Sequence, residues 1–315
     1  MTSPTLRRLG RTDLRIAPLV LGGNVFGWTA DRDTSFAVLD AFVDGGGTMI
    51  DTADVYSAWV PGHRGGESET TIGAWLKTSG KRDEVQIATK VGMLGREGLS
   101  ATAIEAACDA SLRRLGTDRI DLYFAHQDDQ ATPLEESLAA FAKLVRAGKV
   151  RVVGASNYTA DRLKAAIDLA ESDPALARYD VLQPEYNLVS RAAFEGPLQD
   201  LCVAADIGVV PYYGLASGFL TGKYRSRADL GKSPRGDRMG DLVDREMPLL
   251  ATMDDIARET GASLAPIALA WLIAQPGVTA PIASATSVDQ LRDLLPAMTL
   301  HLTQDQLARL TAAAH

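Results

Sequence analysis

The residues whose types could do chemistry are Asp51, Tyr56, Lys90 and His126, each at or just beyond a short apolar run. An acid, a phenol, an amine and an imidazole placed together suit proton transfer to a carbonyl oxygen. A free phenol has a pKa near 10 and donates reluctantly at neutral pH. A neighbouring ammonium favours the phenolate and lowers that value. Lys90 would do this, with Asp51 holding Lys90 charged and in place. Tyr56 would then serve as general acid toward an oxygen that gains charge. His126 would hydrogen-bond the same oxygen and orient it. No side chain supplies hydride, so a reduction needs a cofactor. Each residue also has a plain structural role. Asp51, within DTAD, could cap a helix. Tyr56 could be a rim aromatic, Lys90 a solvated strand end and His126 a core histidine. Joint placement on one rim separates the two readings.

Short apolar runs alternate with longer amphipathic stretches. Strand candidates are 17–21, 48–51, 85–89, 120–125, 151–155, 180–183, 207–211 and 278–282. Between them, Leu134, Leu138, Phe141 and Val145 share one helical face over 134–145, ended by Gly148. Ile104, Cys108, Leu112 and Leu115 do the same over 101–115, before Gly116. Strand, helix, strand at this spacing implies parallel strands with right-handed crossovers. Eight units predict a closed (β/α)8 TIM barrel in one domain spanning 1–315. A doubly wound open sheet is disfavoured by the unit count and by the lack of a glycine-rich dinucleotide turn. Residues 4–16 read as an N-terminal β-hairpin plugging the barrel's N-terminal end. The polar stretch 222–247 reads as a long loop after strand seven. In a parallel barrel, function lies at the C-terminal strand ends, where Asp51, Lys90, His126 and, early in a loop, Tyr56 would meet.

The composition is that of a soluble globular protein, 46% hydrophobic and 23% charged over 315 residues. A net charge of -8 argues against a nucleic-acid partner. No run approaches the roughly 18 apolar residues of a membrane span. Two cysteines, Cys108 and Cys202, make no disulfide framework. The expectation is a reduced, cytoplasmic protein acting on a small molecule; oligomeric state is not legible. The four histidines, His63, His126, His301 and His315, are too far apart for a metal-ligand motif.

The blocks DTADVY (51–56), GESE (66–69), ATK (88–90), DLYFAH (121–126), GASN (154–157), QPEYNL (183–188), LASGFLTGKY (215–224) and PIASATSVDQL (281–291) resemble, in order, the signature blocks of the aldo-keto reductase superfamily. The flavour is that of the bacterial branch similar to potassium channel β subunits. The resemblance implies a (β/α)8 fold, NADP(H) and no metal, with Tyr56 as proton donor and Asp51, Lys90 and His126 completing a tetrad. It implies an aldehyde or ketone reductase; a cofactor-loaded redox sensor or auxiliary subunit with slow turnover is the alternative. A Schiff-base aldolase using Lys90 is a third reading, opposed by the adjacent Asp51, which would keep the amine protonated.

The same resemblance places Ser156, Asn157 and Gln183 on the nicotinamide amide and Tyr212 against the ring face. Gly23 and Asn24 would approach the ring or its ribose. Leu215 to Lys223 would wrap the pyrophosphate, with Gly218 and Gly222 allowing close approach and Lys223 adding charge. SGFLTGKY is one residue short of a P-loop, and Tyr224 replaces the required hydroxyl residue. At the adenosine end, Thr286 stands where many members carry an arginine for the 2′-phosphate, and Leu294 where an asparagine is common. Ser284, Thr286 and Ser287 could bind phosphate through hydroxyls, and Gln290 fits the adenine side. Arg292 is a substitute cation or a solvated helix residue. Tyr213-Gly214 replaces Ser-Pro, and 57–65 is a longer rim loop than usual. Trp59, Trp28, Tyr213 and Phe26 are candidates to line the substrate site; Trp75 reads as helix packing.

Overall fold

A computed structural model describes residues 4–95, 98–232 and 236–314. An antiparallel pair, β1 (Arg7–Arg8) and β2 (Arg15–Ile16), precedes eight parallel strands. These are β3 (Val20–Gly22), β4 (Met49–Asp51), β5 (Gln86–Val91), β6 (Ile120–Ala125), β7 (Val150–Ser156), β8 (Val181–Gln183), β9 (Gly208–Val209) and β10 (Ile282–Ala283). They pair in chain order from β3 to β9, and β10 pairs with β3. The two outer edges also meet. Thr279 N–H donates to Val209 O and Ile282 N–H to Pro211 O, both at 2.8 Å. The sheet is therefore the expected (β/α)8 barrel, with helices outside.

Period-2 alternation builds both faces. Val20, Met49, Ala88, Leu122, Phe124, Val152, Val181 and Ile282 fill the barrel interior. Leu21, Ile50, Ile87, Tyr123, Val153, Leu182 and Ala283 face the helices. Burial on both sides explains why the strands read as nearly continuous apolar runs. Leu9, Leu14 and Ile16 join the interior cluster, so the hairpin plugs the barrel as predicted. Gly10, at its turn, has φ +55°, and a Cβ there would lie 2.3 Å from Gly208 N.

The helices Ala101–Leu115 and Leu134–Arg146 lie where periodicity puts them. Ser100 Oγ caps the first by accepting Ala103 N–H, and Gly116 ends it in the left-handed conformation. Cys108 is fully buried on its inner face, and Trp75 is buried with Nε1 donating to Asp40 at 3.1 Å. Two expectations shift. The predicted strand 278–282 is regular only at Ile282–Ala283, because Pro281 has no N–H for the ladder. The stretch 222–247 contains short helical turns at Arg227–Lys232 and Gly236–Met239 and a helix at Gly240–Arg245; residues 233–235 lie outside the described residues. Among the described residues, no helix is long and apolar enough to cross a membrane.

Candidate active site

Asp51 ends β4, Lys90 sits one residue before the end of β5, and His126 follows β6. All three lie at C-terminal strand ends, on the rim opposite the hairpin. Lys90 Nζ donates to Asp51 Oδ2 at 2.6 Å, to Thr52 O at 2.7 Å and to Tyr56 Oη at 3.1 Å. Those acceptors satisfy all three ammonium protons of a side chain with no exposed surface. Gln183 Nε2 holds the other Asp51 oxygen at 2.9 Å. Tyr56 is brought over Lys90 by a turn in which its N–H donates to Ala53 O, and its carbonyl accepts Gly66 N–H. The His126 ring packs edge-on to Tyr56, centroids 6.1 Å apart. Asp51 thus lies in a strand and caps no helix; the helix after β4 begins at Glu67.

Burial pushes the Tyr56 phenol above its ordinary value, and the Lys90 ammonium pulls it down without overcoming burial. This corrects the expected acidic phenol: desolvation penalises the phenolate more than one nearby ammonium relieves it. Burial also opposes the charge on Lys90, but Asp51 and then Tyr56 outweigh it and hold Lys90 above the usual lysine value. Burial, and then Lys90, hold His126 well below its ordinary value, so the imidazole is neutral at pH 7. His126 Nδ1 is buried with no hydrogen-bond partner.

Ser156, Asn157, Gln183 and Tyr212 form one network. Ser156 Oγ donates to Gln183 O at 2.8 Å, and Asn157 Nδ2 to His126 O at 2.9 Å. Tyr212 Oη donates to Asn157 Oδ1 at 2.7 Å, which fixes the direction of a half-buried ring. Asn157 does not cap the following helix; Thr159 does. Its own φ is +58°, a left-handed conformation that asparagine tolerates.

Beyond β9, the turn Ala216–Thr221 contains Ser217 and Gly218 with left-handed φ. A Cβ on Gly218 would stand 2.9 Å from Lys223 Nζ, so glycine lets that cation fold against the turn. Leu215 O accepts Gly218 N–H, and Gly222 N–H donates to Phe219 O. Across the rim, Gly23 N–H donates to Asp51 O at 2.7 Å, and Ser284 Oγ donates to Asn24 Oδ1 at 2.6 Å. Thr286 N–H and Oγ1 both donate to Gln290 Oε1, and Ser287 Oγ accepts Gln290 N–H. Leu294 is core.

Aromatic side chains line the mouth. Trp59 lies edge-on to both Trp28 (5.6 Å) and Tyr56 (5.8 Å) and is 49% exposed. Tyr213 is also exposed and stands edge-on to Tyr212, whereas Phe26 is buried core. The 57–65 loop is tied by Glu67, whose carboxylate accepts the N–H groups of Ser57, Arg64 and Gly65.

Some contributors are not legible as such in the sequence. Thr52 acts through its carbonyl, which residue type does not reveal. Met93 and Leu94 add exposed apolar surface after β5. Asp54, the second acid of DTAD, is 3% exposed, and its Oδ1 has no partner. Burial, and then the charge of Glu69, raise it to about 7. Glu69, from GESE, accepts Thr89 Oγ1 and Arg114 Nε, both at 2.6 Å. Two acids in each block are the available signal. No group of three or more potential metal ligands occurs among the described residues.

Comparisons with known proteins bear on the family to which the chain is similar. The model of the Aldo/keto reductase family matches residues 18–315. An uncharacterized oxidoreductase of Bacillus subtilis is 36% identical, over 96% of this chain and 93% of that protein. L-glyceraldehyde 3-phosphate reductase of Escherichia coli O157:H7 is 30% identical, over 96% and 90% respectively. A protein named as a probable voltage-gated potassium channel subunit beta, from Oryza sativa subsp. japonica, is 31% identical over 93% and 90%.

Proposed function

The chain belongs to the aldo/keto reductase family, and on that premise we propose that it reduces an aldehyde or ketone to an alcohol with NADPH, Tyr56 giving the proton. One observation carries the assignment: Lys90 Nζ stands between Asp51 Oδ2 and Tyr56 Oη, at 2.6 and 3.1 Å, on the rim where barrels do chemistry. The nicotinamide, when bound, supplies hydride to the carbonyl carbon.

The protein residues handle the proton. Tyr56 keeps its proton at Oη until the carbonyl oxygen gains charge, because burial disfavours the phenolate. Proton transfer then leaves that phenolate 3.1 Å from an ammonium. Asp51 keeps Lys90 charged for this purpose. Neutral His126 offers its ring N–H to the same oxygen. Ser156, Asn157 and Gln183 present polar groups at adjacent strand ends, and tethered Tyr212 offers a flat face; this set fits an amide-bearing ring. Gly218 and Lys223 fit a pyrophosphate. Trp28, Trp59 and Tyr213 line the space left for the carbonyl compound. The buried free thiols Cys108 and Cys202 accord with a cytoplasmic location.

The test is turnover of an aromatic aldehyde panel with NADPH, followed by loss of cofactor absorbance. Tyr56→Phe should abolish nearly all turnover and leave nucleotide binding intact; full activity would remove Tyr56 from its role. Tight copurification of nucleotide with negligible turnover would favour a redox sensor.

A further inference from the structure

We propose that Glu67 is a positioning residue for substrate selection. Its carboxylate closes the 57–65 loop and so holds Trp59 as an aromatic wall beside Tyr56, favouring carbonyl compounds with an extended aromatic group over small aliphatic ones. The selection of substrate rests on the reductase reading above.

The loop leaves and returns at one point. Tyr56 O accepts Gly66 N–H at 2.9 Å, so residues 57–65 form a compact loop with its ends together. Glu67, the first residue of the helix Glu67–Ser79, binds both ends. Its Oε2 accepts Ser57 N–H at 3.3 Å and Gly65 N–H at 3.0 Å, and its Oε1 accepts Arg64 N–H at 2.8 Å. Burial opposes the charge on Glu67, but hydrogen bonds from backbone N–H groups, that of Arg64 first, outweigh it and hold the carboxyl below its usual value. An acid in a helix's first turn also suits the macrodipole, and Glu69 shares that turn. Glu69, however, points inward to Thr89 and Arg114. The donors to Glu67 belong to the loop. Within it, Val60 N–H donates to Ser57 O and His63 N–H to Val60 O, and Ser57 Oγ lies 2.9 Å from His63 Nδ1.

Trp59 stands edge-on to Tyr56 at 5.8 Å and to Trp28 at 5.6 Å, although its own ring is exposed. Trp28 comes from the loop after β3. Its neighbour Gly27 lies against the Glu67 stem: a Cβ there would be 3.4 Å from Glu67 Cβ. Glu67 therefore sits where the two indole-bearing loops meet. On the other side, a Cβ on Gly65 would be 2.9 Å from Leu94 Cδ1, so the closed loop also abuts the exposed apolar pair Met93 and Leu94. A flat aromatic group entering beside Tyr56 covers this apolar surface, whereas a short aliphatic aldehyde covers little of it.

Glu67→Gln keeps the side chain's length but turns one acceptor oxygen into a donor facing loop N–H groups. With a naphthaldehyde, KM should rise about three- to tenfold while kcat stays within about twofold; with propanal, KM should move less than about twofold. Equal losses for both aldehydes, a fall in kcat alone or no change would overturn the proposal. Trp59→Ala should raise the naphthaldehyde KM at least as far, and adding Glu67→Gln to it should add little; additive effects would show that Glu67 does not act through Trp59. A second readout needs no turnover. Two indoles this close couple their transitions, so the unaltered chain should show a circular-dichroism couplet that Trp28→Phe and Trp59→Phe each abolish. Glu67→Gln should weaken that couplet with the helical signal retained, and an unchanged couplet would remove Glu67 from its role. If the unaltered chain turns over neither aldehyde, the reductase reading fails and the substrate selection with it, while the couplet still decides whether Glu67 holds the loop.

Discussion

Tyr56 and Lys90 are tuned against each other by burial. Desolvation raises the phenol, and Asp51 raises the ammonium beside it. Removing the ammonium leaves Asp51 buried and unpaired. Lys90→Met should cost about 3–5 kcal/mol of stability, read from urea unfolding, besides most of the turnover. Neutral His126 should show ring nitrogen shifts in NMR that stay those of an uncharged imidazole well below pH 6.5, since burial holds its pKa down. Asp54 supplies a stability signature. Its folded value of about 7 lies above the roughly 3.9 of an unfolded aspartate. Its contribution is thus fully present below about pH 4 and is lost as pH rises to about 7. Relative to Asp54→Asn, the unaltered protein should be more stable at pH 5 than at pH 8; a constant difference would contradict the raised value.

Strands and caps make that residue geometry possible. Lys90 reaches Asp51 because β4 and β5 pair in register, Asp51 beside Ala88. Strand periodicity then turns Ala88 and Lys90 to the barrel axis, while Thr89 faces outward to Glu69. The helix over 101–115 was legible to the residue, because its apolar stripe and terminal glycine both lie in local sequence. Ser100→Ala should lower stability by about 1 kcal/mol through the lost cap. β9 and β10 were less legible in extent, since strand length there depends on which partners the prolines leave available. Gly10→Ala tests the hairpin: with φ +55° and Gly208 N in the way, it should cost at least ~1 kcal/mol of unfolding stability.

At the scale of the molecule, one apolar interior runs from the hairpin toward the rim that bears Asp51, Lys90 and His126. Leu9, Leu14 and Ile16 close its lower end against Val20, Met49 and Val181. Deleting residues 4–16 should expose that interior, increase binding of a hydrophobic dye and weaken cooperative unfolding. An unchanged thermal transition would show that the plug is dispensable. The sequence by itself determined the alternation of strand and helix, the eight-unit barrel, the hairpin, and the strand ends bearing Asp51, Lys90 and His126. These follow from periodicity and punctuation, which are local properties. Only the tertiary structure decided the sign of the Tyr56 shift, the burial of the Asp54 carboxyl and the pairing of Thr286 with Gln290. Each is set by desolvation or by partners that residue type does not reveal, because the electrostatic cost of a buried group depends on everything packed around it.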